Sequence, residues 1–139
     1  MFTRVLLLVA LLAIATPAAA ANVSIVIDIS DQHMQVSVGG APHYSFDVST
    51  GRKGYATPKG SYGVQRMYKE YYSKKYDWSP MPYSIFFRGG YAIHGTYDTK
   101  RLGRVASHGC VRLAPENARR LYNLVLKHGS SNVSIRVKG

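Results

Sequence analysis

The chain has 139 residues, a formal net charge of +11, 46% hydrophobic and 12% aromatic residues, and a single cysteine. That composition excludes a disordered segment and a disulfide framework, and it is enough for one hydrophobic core. The excess of Lys and Arg favours a polyanionic surrounding, but the basic residues are dispersed and form no recognised nucleic-acid-binding motif, which argues against a nucleic-acid partner.

The first segment reads MFTRVLLLVALLAIATPAAAANVS. Arg4 precedes an apolar run over 5–14, and small residues follow at 18–21. A charged start, a short apolar stretch and an A-x-A ending make a cleavable secretory leader over 1–21, with cleavage expected after Ala20 or Ala21. The run falls short of the ~20 apolar residues a membrane span needs, so no stable span is expected after cleavage. The domain expected to remain is 22–139, exported to the periplasm or cell wall.

NVSIVIDISDQHMQVSVGG reads as strands. Val23, Ile25, Ile27 and Ile29 alternate with other residues, as do Met34, Val36 and Val38. Turn residues at 30–32 and 39–40 separate them into a meander. STGRKGYATPKGSYGV follows, and its glycines fit neither a Walker loop nor a dinucleotide fingerprint. A loop leading into a strand over 61–65 is the expectation.

MYKEYYSKKYDWSPMPYSIFF is rich in tyrosine and base and holds the only Trp, Trp78. Pro80 and Pro82 exclude a helix, leaving a flap over 68–78 and then a strand over 83–87. Aromatics at this density line a groove or form a satellite core, and the sequence leaves both open. GGYAIHGT is a turn and a short strand carrying His94.

SHGCVRL, 107–113, contains the lone thiol. Glycine before Cys110 permits a tight turn, and the adjacent N–H groups of Gly109 and Cys110 could form an oxyanion hole. A histidine brought beside the thiol is expected to hold it as the reactive thiolate. Two other readings stay open: a buried inert thiol, and a zinc site from His94, His108 and Cys110, which lacks standard spacing. APENARRLYNLVLKHG then predicts a helix, with Ala118, Leu121, Tyr122 and Val125 on one face, Pro115 and Glu116 in the first turn, and Gly129 as the stop. NVSIRVKG closes as a strand. No repeat or low-complexity linker is visible.

IHGTYDTKRLGRVASHGCVRL resembles the active-site signature of the L,D-transpeptidase catalytic domain, the YkuD-type family: a histidine followed by a small residue, a variable stretch, then Ser/Thr-His-Gly-Cys, an aliphatic residue and Arg or Asn. DVSTGRKGYATPKGSYGV and MPYSIFFRGGYAIHG resemble the family's preceding strands and loops, so the likeness runs through nearly all of 22–139. It implies a mainly β fold, a sandwich of mixed sheets with one helix from the C-terminal region packed against it.

The resemblance also implies roles. Cys110 is the nucleophile, and His94 the general base. The Gly95 carbonyl orients the imidazole, and the N–H groups of Gly109 and Cys110 bind the oxyanion. Ser107, His108 and Arg112 shape the pocket and contact peptide carboxylates, for which the Arg fork is suited; an ion-pair role for Arg112 stays open. The implied donor is a peptidoglycan tetrapeptide stem, which forms a thioester and releases D-alanine. The acceptor is a neighbouring stem's diamino-acid side chain, giving a 3→3 cross-link, or an outer-membrane lipoprotein amine. With water as acceptor the protein is a carboxypeptidase or endopeptidase. A non-catalytic basic wall-binding module is the alternative of another class. No metal or cofactor is implied, and a monomer is expected.

Overall fold

A computed structural model describes residues 12–14 and 22–139; the leader reading falls almost wholly outside the described residues. The first sheet grows from the alternation in the sequence. In β1 (Val23–Asp28) the residues Val23, Ile25 and Ile27 point inward and are fully buried. β2 (His33–Val38) buries Met34 and Val36, and β3 (Ala41–Asp47) buries Phe46. These three strands form an antiparallel meander. The last strand of the chain, β11 (Val133–Lys138), lies parallel to β1 and buries Val133, Ile135 and Val137. Beyond it lies β4 (Gly60–Tyr62), giving the order β3-β2-β1-β11-β4.

The second sheet has the order β10-β9-β8-β5. β5 spans Arg66–Tyr68, β8 Ser84–Arg88, β9 Tyr91–Gly95 and β10 Val111–Leu113. β9 and β10 run parallel, and the other pairs antiparallel. The fold is therefore mostly β, with two mixed sheets. The strand expected over 61–65 is instead two short strands, because the chain leaves one sheet after Tyr62 and joins the other at Arg66. The strand expected over 83–87 starts one residue later, since Tyr83 has φ 55° and cannot continue a strand.

The helix α1 (Pro115–His128) forms as its sequence directs. Pro115 opens it, Glu116 favours the N-terminal dipole, and Gly129 at φ 85° ends it. Its buried face carries Ala118, Leu121, Tyr122, Leu124 and Val125, which join both sheets in one core. α1 packs over β8 and β9. It comes close at Gly95, where an added Cβ would lie 3.1 Å from the Pro82 ring and 3.3 Å from Ala118.

β8 is buried on both faces, which explains its unbroken Ser84-Ile85-Phe86-Phe87 run. Ile85 and Phe87 face the main core, while Phe86 forms a second cluster with Met81 and Ala92, against which Tyr71 and Cys110 pack. The flap supplies part of this cluster. It carries a small hairpin of β6 (Tyr72–Ser73) and β7 (Ser79–Pro80) around a 3-10 turn at Lys74–Tyr76. Among the described residues no helix is long and apolar enough to cross a membrane.

Candidate active site

The outer face of the second sheet carries the chemistry. Strand register sets Arg112 opposite His94 and Val111 opposite Ile93. Side chains alternate along a strand, so Ala92 and His94 of β9 share a face with Cys110, just before β10, and Arg112 within it. A cavity of about 740 Å³ opens on this face, and His94, Ser107, His108, Cys110 and Arg112 all line it.

His94 is buried, and its Nδ1 lies 2.7 Å from the Gly95 carbonyl oxygen. A carbonyl only accepts, so Nδ1–H donates and the neutral ring keeps Nε2 as an acceptor. Burial pushes the His94 pKa down to about 4, opposed by the Gly95 hydrogen bond and aided by the Arg112 charge. The imidazole is therefore neutral at pH 7. The Cys110 thiol lies 3.7 Å from the Gly90 carbonyl oxygen. Burial pushes its pKa up, an effect the Ala92 backbone hydrogen bond and the Arg112 charge offset only in part. Burial thus works against the expected resting thiolate, and the neutral His94 imidazole lines the same cavity as the Cys110 thiol.

The turn at 107–110 is fixed from within. Ser107 is 1% exposed, its hydroxyl donates to the Cys110 carbonyl at 2.6 Å, and it accepts from the Gly109 N–H at 3.0 Å. The Gly109 amide is therefore already engaged. Gly109 has φ 123°, and a Cβ there would come within 2.6 Å of the Tyr91 ring, so only glycine fits. Outside the turn, the Ser107 N–H donates to the Thr50 carbonyl, the Arg52 N–H donates to the Ser107 carbonyl, and Ser49 and Arg112 exchange two backbone hydrogen bonds.

Thr57 adds a tie that sequence reasoning did not single out. Its hydroxyl donates to the Gly109 carbonyl at 2.8 Å and accepts from the Gly51 N–H at 3.0 Å. The only signal in the sequence was its place in DVSTGRKGYATPKGSYGV, one of the stretches that carry the family resemblance. The second missed residue is Tyr76 of the flap. His108 stacks on its ring at 4.2 Å and meets Tyr55 edge-on at 4.9 Å. His108 therefore turns toward two tyrosines, and among the described residues no group of three or more metal-ligating side chains converges. The flap serves both roles open to it: Tyr71 packs in the second cluster, and Tyr76 walls the cavity.

Arg112 makes no ion pair among the described residues. Asp98, whose charge reaches it, is held by Arg101 at 2.5 Å. Its guanidinium remains available to a ligand carboxylate.

The sequence profile of the L,D-transpeptidase catalytic domain, YkuD, matches residues 22–135. No curated protein sequence matches the chain. The fold superposes on an L,D-transpeptidase from Stackebrandtia nassauensis with a TM-score of 0.76 at 28% identity, covering 87% of this chain and 57% of that one. A second, from Mycobacterium tuberculosis H37Rv, gives 0.76 at 25% identity, with 85% and 58% covered. An L,D-transpeptidase from Mycobacterium smegmatis shares the fold at 0.75 and 22% identity, covering 86% and 59%. The chain thus spans at most 59% of the length of these three. Profile and fold agree, and the chain belongs to the L,D-transpeptidase (YkuD) catalytic-domain family.

Proposed function

We propose that the chain is a peptidoglycan L,D-transpeptidase in which Cys110 is the nucleophile and His94 the general base. The observation that carries this reading is the hydrogen bond from His94 Nδ1–H to the Gly95 carbonyl, which leaves Nε2 as an acceptor on the cavity shared with the thiol. The donor is a tetrapeptide stem. As Sγ attacks the carbonyl carbon of its L-centre to D-centre bond, Nε2 takes the thiol proton. The Cys110 N–H stabilises the oxyanion, and the Gly109 N–H joins it by exchanging the Ser107 hydroxyl for the substrate oxygen. The C–N bond then breaks, His94 returns the proton to the departing D-alanine amine, and a thioester remains.

An acceptor amine attacks the thioester in the second half. His94 takes its proton and hands it to the leaving sulfur, restoring the thiol. A diamino-acid side chain on a neighbouring stem gives a 3→3 cross-link, and a lipoprotein amine gives attachment to the wall. The protein acts in the periplasm or cell wall, to which the leader-like first 21 residues direct it.

The test is incubation with purified tetrapeptide muropeptides as donor and acceptor. The expected result is a tripeptide acyl adduct on Cys110 by intact mass, followed by cross-linked dimers. Tripeptide monomers alone make water the acceptor and the protein a carboxypeptidase. No adduct overturns the reading, as does a Cys110→Ala variant that behaves like the parent, the behaviour of a wall-binding module.

A further inference from the structure

The cavity around Cys110 is lined by more cations than Arg112, the one expected to read charge. Arg112 stands on β10, free of any ion pair among the described residues. Arg66 of β5 and the flap lysines Lys74 and Lys75 line the cavity as well, and none of these pairs with a carboxylate among the described residues. The one acid lining the cavity is Asp98, already held by Arg101.

Packing ties these cations to the site. The Arg66 guanidinium lies 4.1 Å above the Phe86 ring and donates to the Gly89 carbonyl at 2.9 Å. Phe86 belongs to the cluster against which Cys110 packs, and the next carbonyl, Gly90, is the one the thiol faces. The Lys75 ammonium lies 5.4 Å from the Tyr76 ring, which stacks on His108 two residues before the nucleophile. Its charge reaches His108, whose pKa is lowered by burial and by Arg52, Arg112 and Lys75.

We propose that this pocket selects stem peptides with more than one free carboxylate, Arg112 reading one and Arg66, Lys74 and Lys75 reading others, and discriminates against stems whose carboxylates are amidated. This rests on the L,D-transpeptidase reading for the identity of the peptide. The physical reason is that unpaired cations facing a confined site favour anionic groups and repel cationic ones, while an amide is neutral and turns N–H donors as well as an acceptor toward them. Arg66 and the lysines are specificity residues. They act on carboxylates remote from the thiol, so their loss affects KM more than kcat.

The experiment pairs two synthetic tetrapeptide stems that differ only in free or amidated carboxylates. Turnover is measured with the parent chain and with a Lys74→Gln/Lys75→Gln double variant and an Arg66→Gln variant. Binding of both stems to Cys110→Ala is measured at low and high salt. The expected preference for the free-acid stem is about tenfold in kcat/KM, worth roughly 1.4 kcal/mol, weaker at high salt and reduced in the flap and Arg66 variants. Equal turnover of both stems overturns the inference and leaves the L,D-transpeptidase reading standing. No turnover of either stem, with free-acid binding still preferred in Cys110→Ala, overturns that reading and keeps the charge selectivity. Equal binding of both stems overturns the selectivity whatever the turnover, and a preference untouched by the three substitutions refutes the residues assigned.

Discussion

The two faces of the sheet β10-β9-β8-β5 are built from the same strands and carry opposite kinds of residue. One face, with Ile85, Phe87, Ile93, Val111 and Leu113, belongs to the main core. The other, one residue out of phase, carries Phe86, Ala92, His94 and Arg112, with Cys110 just before β10. The inward residues need only volume and apolarity, which many side chains supply. The outward ones need particular atoms at particular places. Burial acts on both faces: it stabilises the core, and it pushes the His94 pKa down to about 4 and the Cys110 pKa up.

The sharpest way to break the comparison is to change one face and spare the other. Cys110→Ala removes acyl transfer altogether while shifting stability by only about 1 kcal/mol, read by product analysis and thermal unfolding. Leu113→Ala does the reverse: Leu113 is fully buried, and truncation costs about 2–5 kcal/mol, yet the folded fraction keeps its turnover per molecule at low temperature. Equal loss of activity and stability in both variants would erase the distinction between the faces. Thr57→Val is a smaller perturbation that joins them. It leaves the Gly109 carbonyl and the Gly51 N–H without their partner, at about 1–3 kcal/mol, and loosens the turn that holds the thiol. Slower acylation together with a lowered melting temperature is expected, and unchanged acylation would remove Thr57 from the positioning set.

Much of the first sheet was legible in the sequence because it follows strict alternation: Val23-Ile25-Ile27 and Val133-Ile135-Val137 both read as strands, and the structure adds that they pair in parallel. The helix was equally plain, since Pro115, its apolar stripe and Gly129 are all local signals. The crossing between sheets after Tyr62 was not legible, because the apolar pattern of SYGVQ does not say which partner strand each half meets. The flap over 68–78 was legible, but its small hairpin was not: Asp77 and Trp78 both take φ 55°, a conformation no propensity for those residues announces.

At the site, His94 and Cys110 were readable from their motif, and their register across β9 and β10 brings them to one face. Their protonation was not, because it depends on α1, β8 and the flap closing around them, and burial is a property of the assembled fold. Thr57 and Tyr76 were missed on similar grounds. Their partners, Gly109 and His108, lie far along the chain.

The central claim is that a neutral thiol and a neutral imidazole perform acyl transfer together. The most direct measurement is the pH dependence of Cys110 acylation by a tetrapeptide stem in a single turnover, followed by intact mass. His94 acts only when unprotonated, and its pKa is lowered to about 4. The rate should therefore stay level from about pH 5 to about pH 8 and fall as the pH drops through about 4. A rate that keeps climbing between about pH 6 and about pH 8, as thiolate formation would make it, or the absence of any Cys110 adduct, would contradict the account.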